Sequence, residues 1–185
     1  MSPRYPTLYF LDVRNIDLDD LSVLGSEKER FDRYIREEDK RLFLGGRMLI
    51  REHISREPLL FKKNGKPYFI GRHFSLSHSY PYVALFVGSD SVGIDLETEE
   101  RFEKVDLIRF FPKEDLEKLP DPKKLWCLKE AVYKAYGKDQ WNPKEPFDAL
   151  EDDTVTYRGV KFYYRFPDAL PVVMALVQKH PFNTN

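Results

Sequence analysis

The sequence has little cysteine, no long apolar run and no excess of charge of either sign. Cys127 is the single cysteine in 185 residues, which excludes an internal disulfide and fits a reducing compartment. No stretch approaches the roughly 20 apolar residues that cross a bilayer. The first residues, Met1 to Pro6, have neither the basic start nor the apolar run of a signal peptide. We therefore expect a cytoplasmic protein without a membrane segment.

Acidic and basic side chains almost cancel, with 30 Lys and Arg against 31 Asp and Glu and a formal net charge of −1. A chain-wide attraction to nucleic acid is therefore absent, and no nucleic-acid partner is expected. The composition is 42% hydrophobic and 15% aromatic. It suits one compact unit, or two small lobes that share a core.

Two patterns alternate along the chain, β-prone segments and helical ones. The predicted strands are Leu8–Val13, Tyr68–Ile70, Phe74–Ser79, Val83–Gly88, Val92–Glu97, Thr154–Tyr157, Val160–Phe166 and Val172–Val177. The predicted helices run from Ser26 to about Arg36, from about Glu38 to Arg56, and from about Leu125 to Tyr136 before Gly137. This order predicts an α+β fold of two similar α/β lobes in a pseudo-twofold arrangement, with antiparallel sheets each packed by a long helix. We place the lobes at 1–97 and 98–185, with an active site at their interface.

The predicted helix from Glu38 contains two features that need an explanation. Gly45 and Gly46 each cost about 1 kcal/mol relative to alanine in a helix, so close packing against another backbone is expected there. The helical region also carries acids four residues before arginines, such as Glu37 and Arg41. These arginines form either a solvated, salt-bridged face or a surface that contacts a polyanionic ligand.

Asp95 and Glu97 lie at alternate positions of a predicted strand, so their carboxylates project from one face while Ile94 and Leu96 point to the other. Two adjacent carboxylates repel unless a proton or cation lies between them. Hard oxygen ligands of this kind suit Mg²⁺ or Mn²⁺. The alternative is a pair of ordinary surface acids on an exposed strand.

A helical segment and a histidine motif add further candidates. Trp126, Glu130 and Lys134 are four residues apart and lie along one stripe of a helix. The stripe is either a surface ion pair or a partly covered functional face. His78, between two serines, and Lys66, in the turn Asn-Gly-Lys-Pro, could hold a phosphate, although a histidine at a strand end is often only structural.

In order, the motifs Gly-Lys-Pro, Phe-Ser-Leu-Ser-His-Ser, Gly-Ile-Asp-Leu-Glu, a phenylalanine pair and Trp-Cys-Leu-Lys-Glu-Ala-Val-Tyr-Lys resemble the 4′-phosphopantetheinyl transferase family. The resemblance is to its monomeric, two-lobed branch and covers about Asn64 to Gly137. It implies transfer of the phosphopantetheine arm of coenzyme A to a serine of an acyl or peptidyl carrier protein, with release of adenosine 3′,5′-bisphosphate.

The resemblance also implies roles for individual residues. Asp95, Glu97 and Glu130 match the magnesium-site acids, and Glu130 also matches the residue that deprotonates the carrier serine. Lys134 matches the lysine that contacts the α-phosphate of coenzyme A. The residues that match other coenzyme A contacts are Arg30, Lys66, Ser77 and His78.

Part of the coenzyme A site departs from the family pattern. Relatives often carry two basic residues early in the first helix for the 3′-phosphate, and the corresponding positions here are Glu27 and Arg30. Either Arg30 alone or the adjacent Lys28 would then serve, unless the alignment shifts by one residue. Phe43 also stands where some relatives have a small polar contact.

Two other functions could use the same residues. A non-catalytic module that binds coenzyme A or a carrier protein would be expected to lose a magnesium-site acid or the helix lysine, and neither is lost. A metal-dependent phosphoester hydrolase needs room for an attacking water and further metal ligands. The histidines that could supply such ligands are scattered without ligand spacing: His53, His73 and His180.

Overall fold

The computed structural model describes residues 6–22, 24–61, 67–103, 105–137, 141–168 and 170–182. The helices are Lys28–Asp32 (α1), Glu37–His53 (α2), Glu99–Phe102 (α3), Lys113–Lys118 (α4) and Pro122–Tyr136 (α5). The strands are Thr7–Asp12 (β1), Leu60–Phe61 (β2), Pro67–Tyr68 (β3), His73–Ser79 (β4), Tyr82–Gly88 (β5), Val92–Glu97 (β6), Ala149–Leu150 (β7), Thr154–Tyr157 (β8), Val160–Arg165 (β9) and Val173–Gln178 (β10).

The strands form two main antiparallel sheets. One has the order β1-β5-β4, and the other has the order β6-β10-β9-β8-β7. Helix α2 packs on the first sheet, and α5 packs on the second against β6 and β10. The predicted α+β fold, with a long helix on each antiparallel sheet, is confirmed.

The two sheets meet at their edge strands β4 and β6. Strand β6 lies before the predicted lobe boundary at residues 97 and 98, yet it pairs with β10 of the five-stranded sheet. The division into two lobes remains a proposal. Along the chain, the change from the first sheet to the second falls between β5 and β6.

A close contact holds α5 against β6. A Cβ atom added at Gly93 would lie 1.8 Å from the carbonyl oxygen of Ala131 and 2.9 Å from the backbone nitrogen of Ala135. Only a residue without a Cβ atom permits this approach of strand and helix. The helix begins after Asp121, whose carboxylate accepts hydrogen bonds from the amides of Lys123 and Lys124.

Helix α2 is continuous through Gly45 and Gly46. A Cβ atom at Gly45 would lie 2.6 Å from Val13 Cγ1, and one at Gly46 would lie 3.0 Å from Leu76 Cδ2. The predicted close packing is present, but the neighbours are side chains of the first sheet and its flanking residues rather than another backbone. Glycine in this helix therefore sets the distance between α2 and the sheet.

Several predicted boundaries were wrong. The first helix ends at Asp32 rather than near Arg36, because the chain turns so that both Phe31 and Tyr34 contact Phe43 of α2. Helix α2 ends at His53 rather than Arg56. Helices α3 and α4 were not predicted, and α5 begins three residues before Leu125. Among the described residues, no helix combines the length and apolar character that a bilayer crossing requires.

Candidate active site

A cleft of about 400 Å³ lies between α2, β4 and the C-terminal end of α5. This volume falls within the range of small-molecule sites in proteins. Because α2 packs on one sheet and α5 on the other, the cleft lies where the two sheets join. Its lining includes Arg30, Phe43, Arg47, His78, Tyr133 and Lys134.

Lys134 lines the cleft and forms an ion pair with Asp95 of β6. Its Nζ atom lies 2.7 Å from Asp95 Oδ1, 3.1 Å from Ser77 Oγ and 3.0 Å from the carbonyl oxygen of Ile94. Asp95 is only 5% exposed, so the ammonium group compensates a buried negative charge. Lys134 is therefore not confined to a surface pair with Glu130, which was the alternative from the sequence.

The two carboxylate oxygens of Asp95 differ in their hydrogen bonding. Oδ1 accepts hydrogen bonds from both Ser77 Oγ, at 2.8 Å, and Lys134 Nζ. Oδ2 is buried and has no hydrogen-bond partner within the described ranges. A buried carboxylate oxygen without a partner is costly, because its desolvation is not repaid by any hydrogen bond.

Glu130 and Glu97 share the electrostatic environment of Asp95. Burial raises the pKa of Glu130 to about 7, and the nearby Asp95 carboxylate contributes to this rise. Burial also raises the pKa of Glu97, with a further contribution from Asp95. Ile94 and Leu96 are fully buried in the core on the other side of β6, so the predicted division of this strand into two faces is confirmed.

The donor set suits a hard divalent cation. The negative charge of Asp95 contributes to the raised pKa of both Glu97 and Glu130, and a positive ion between the three carboxylates would stabilise them. Asp95 Oδ2 also has an unused lone-pair site. As the side chains stand, no three His, Cys, Asp or Glu groups converge on one point in the part of the chain that the structure describes. The case for a cation at this site therefore rests on the chemistry of the three acids and on Asp95 Oδ2, the buried oxygen without a hydrogen-bond partner among the described residues.

Two of the predicted coenzyme A contacts occupy different environments on β4. His78 lines the cleft and is exposed to solvent there, although protein atoms enclose its other sides. This partial desolvation and the charge of Lys134 lower the pKa of His78. Ser77 is buried, and its hydroxyl proton is donated to Asp95 rather than directed into the cleft. Lys66 lies outside the described residues.

An arginine that the sequence analysis did not single out forms part of the opposite wall. Arg47 of α2 is 5% exposed and makes two hydrogen bonds to Glu27, at 2.6 and 2.7 Å. Its guanidinium also lies over the ring of Phe43, 4.3 Å from the centroid. Arg47 lies four residues after Phe43 and three before Ile50, a spacing that places it on the buried face of α2. This spacing is the one feature of the sequence that could have identified it. The acid at position 27 is thus neutralised inside the protein.

Arg30 lies on the same wall, where its guanidinium is 4.9 Å from the centroid of Phe61. Its distance to Glu27 is 4.0 Å, longer than either contact from Arg47. Arg30 is half-buried and reaches the cleft. Lys28, the other candidate at this end, is exposed and pairs with Asp32.

Lys129 precedes Glu130 in the sequence but belongs to the core. It is 4% exposed, its Nζ atom lies 2.6 Å from Asp115 Oδ2, and it donates a hydrogen bond to the carbonyl oxygen of Glu145. Because successive residues of a helix point in different directions, Glu130 faces β6 while Lys129 anchors α4 and the segment before β7.

Comparison with known proteins gives one consistent result. A family model described as the 4′-phosphopantetheinyl transferase superfamily matches residues 91–169. The protein "4′-phosphopantetheinyl transferase gsp" of Aneurinibacillus migulanus is 31% identical over 160 residues, covering 76% of this chain and 68% of the relative. "4′-Phosphopantetheinyl transferase Sfp" of Bacillus subtilis (strain 168) is 30% identical over 148 residues, covering 69% and 66%. "4′-Phosphopantetheinyl transferase ffp" of Bacillus subtilis is also 30% identical, covering 72% and 69%.

Proposed function

Because this chain belongs to the 4′-phosphopantetheinyl transferase superfamily, we propose that it transfers the phosphopantetheine arm of coenzyme A to a carrier-protein serine at the Asp95–Lys134 site. The observation that supports this assignment most strongly is the ion pair itself. A lysine ammonium at the wall of a cleft lies 2.7 Å from a buried carboxylate. Transfer of a phosphoryl-type group needs such fixed positive charge at the developing negative charge.

The reaction exchanges one phosphorus–oxygen bond for another. The carrier serine oxygen bonds to the phosphorus that bears the pantetheine arm, and the bond from that phosphorus to the bridging oxygen breaks. Adenosine 3′,5′-bisphosphate leaves, and Glu130 accepts the serine proton. Lys134 donates a hydrogen bond to the phosphate oxygens and so stabilises the charge on the leaving group.

We assign a divalent cation, Mg²⁺ or Mn²⁺, to Asp95 and Glu130, with Glu97 as the third acid. Once bound, the ion would neutralise charge on the pyrophosphate of coenzyme A. The orphaned oxygen of Asp95 and the raised pKa values of both glutamates favour this assignment. Glu97 is ranked third because it ends β6, where Arg101 lies 3.9 Å from its carboxylate.

The cleft would hold coenzyme A between the two sheets. His78 and Arg30 line opposite walls and could contact its phosphates, and Lys66 is assigned to the same task from its motif. Phe43 supplies an apolar surface beside Arg30 and Arg47. We further propose that the protein acts as a monomer of the holo-(acyl-carrier-protein) synthase type, on acyl or peptidyl carriers.

Intact-mass measurement of carrier proteins tests this proposal. The purified protein, coenzyme A and Mg²⁺ should add one phosphopantetheinyl group to an apo carrier, and a chelator should prevent the addition. Retention of coenzyme A without transfer to any of several acyl and peptidyl carriers would favour a binding module instead. Release of free phosphopantetheine without a carrier would indicate a hydrolase.

A further inference from the structure

The two sheets are joined by serine side chains rather than by backbone pairing. Strand β4 is the edge of the three-stranded sheet, and β6 is the edge of the five-stranded sheet. The hydroxyl oxygens of alternate β4 residues accept hydrogen bonds from alternate amides of β6 and the residue after it. These bonds are Ile94 N to Ser75 at 3.2 Å, Leu96 N to Ser77 at 3.3 Å, and Thr98 N to Ser79 at 3.2 Å.

This serine ladder, Ser75, Ser77 and Ser79, has a constant offset of 19 residues. Strands β4 and β6 therefore run in the same direction. Edge amides must find acceptors when they are buried. The ladder satisfies them and holds the two sheets in one register, on which the position of His78 relative to Asp95 depends.

Ser77 makes contacts that distinguish it from Ser75. Besides accepting from Leu96, its hydroxyl donates to Asp95 Oδ1 at 2.8 Å and lies 3.1 Å from Lys134 Nζ. Ser75 is also buried, at 1% exposure against 5% for Ser77, but its described hydrogen bond is from the amide of Ile94 alone. Ser77 therefore takes part both in the contact between the two sheets and in the hydrogen bonding of Asp95 and Lys134.

We propose that Ser77 is a positioning residue that orients the Asp95 carboxylate for metal binding. Ser77 and Lys134 together hold Oδ1, which fixes the rotation of the carboxylate and leaves Oδ2 as the oxygen without a partner. Outer partners of this kind keep a ligand in one orientation and typically change metal affinity by about 10- to 100-fold. The inference rests on the proposed function, because it needs Asp95 to be a metal ligand.

Ser77→Ala and Ser75→Ala form a matched pair for the test. Each removes one rung of the ladder and leaves one β6 amide without its acceptor, but only the first removes a donor to Asp95. Mn²⁺ binding, followed by electron paramagnetic resonance with and without coenzyme A, should weaken by about 10-fold or more in Ser77→Ala. In Ser75→Ala it should stay within about 2-fold of the wild type, while both variants lower the Tm.

Ser77→Cys guards against a folding defect in the alanine variant. It nearly preserves the side-chain volume but replaces the hydroxyl with a weak donor, so Mn²⁺ binding should again weaken. The Mg²⁺ concentration for half-maximal transfer should rise in both Ser77 variants while the KM for coenzyme A changes little. Equal Mn²⁺ affinity in Ser77→Ala, Ser77→Cys and the wild type would overturn the inference alone. Absence of both Mn²⁺ binding and transfer in the wild type would instead overturn the proposed function on which it rests.

Discussion

The ammonium group of Lys134, near the end of α5, lies 2.7 Å from Asp95 Oδ1 on β6. The two residues are 39 positions apart, and their contact depends on the close approach of α5 to Gly93. Because Asp95 is buried, removal of the Lys134 ammonium would leave its negative charge poorly compensated. The ammonium group of Lys134 therefore has two roles: it stabilises the contact between α5 and β6, and it provides positive charge at the wall of the cleft.

Replacing Lys134 should affect turnover more than binding of coenzyme A. Lys134→Ala removes the charge that stabilises the leaving group, so kcat should fall by about 100-fold or more while the KM for coenzyme A changes by only a few-fold. Steady-state kinetics at varied coenzyme A would measure both. Lys123→Ala, on the exposed first turn of the same helix, serves as the control. Lys66→Ala should show the reverse pattern, and equal effects on both constants in either variant would show that the roles are misassigned.

The raised pKa of Glu130 predicts how the stability of the metal-free protein depends on pH. A pKa of about 7 against an ordinary value of 4.5 means that the folded state holds the proton more tightly than the unfolded state. The contribution of Glu130 to the free energy of unfolding is therefore fully present below pH 4.5 and is lost as pH rises to about 7.

Urea unfolding in chelator, compared between wild type and Glu130→Gln from about pH 5 to about pH 8, measures this contribution. The stability of the wild type relative to the variant should decline over the interval by on the order of 1 to 2 kcal/mol, with allowance for solvent screening. A difference that stays constant, or grows with pH, would contradict the raised pKa.

Substitution at Gly93 should disrupt the site from a distance. In Gly93→Ala the new Cβ would meet backbone atoms of α5, which cannot move aside as a side chain can. We expect a loss of at least about 2 kcal/mol in the free energy of unfolding, together with loss of activity. Gly46→Ala is the comparison, since its Cβ would meet only the movable end of Leu76. Thermal and urea unfolding of both variants would show whether the effects differ as expected.

Lys129 should matter for stability rather than for chemistry. Lys129→Met leaves Asp115 as a buried charge without its partner, at a cost of about 3 to 5 kcal/mol. Lys28→Met breaks an exposed pair with Asp32 and should cost less than about 0.5 kcal/mol. Denaturant unfolding measures both losses. A Lys129→Met variant with wild-type stability and no transfer would place Lys129 in the reaction instead.

The sequence was sufficient to predict the elements with strong local signals. The alternation in β6 predicted which side of the strand carries Asp95 and Glu97, and Gly137 marked the end of α5 as the structure has it. The sequence patterns were less reliable where tertiary packing, rather than local preference, decides where a helix ends. The capping pattern at Ser26 and Glu29 predicted a longer helix than α1, because packing of Phe31 and Tyr34 against α2 turns the chain earlier.

The contacts that organise the site were beyond the sequence for a physical reason. Ser77 meets Asp95 across two strands that belong to different sheets, and no local periodicity encodes that register. The sequence pattern did not distinguish Arg47 from the other arginines of the predicted helix, whereas in the structure it is hydrogen-bonded to Glu27. Both depend on tertiary packing, which a pattern in one segment cannot specify.

Intact mass of an apo carrier protein tests most directly whether the acids beside Lys134 carry out the transfer. With coenzyme A and Mg²⁺, the wild type and the control Glu52→Gln, whose carboxylate is exposed on α2, should both convert the carrier to the phosphopantetheinyl form. Glu130→Gln should leave the carrier unmodified over the same time while remaining folded. Conversion by Glu130→Gln at the wild-type rate would contradict the account.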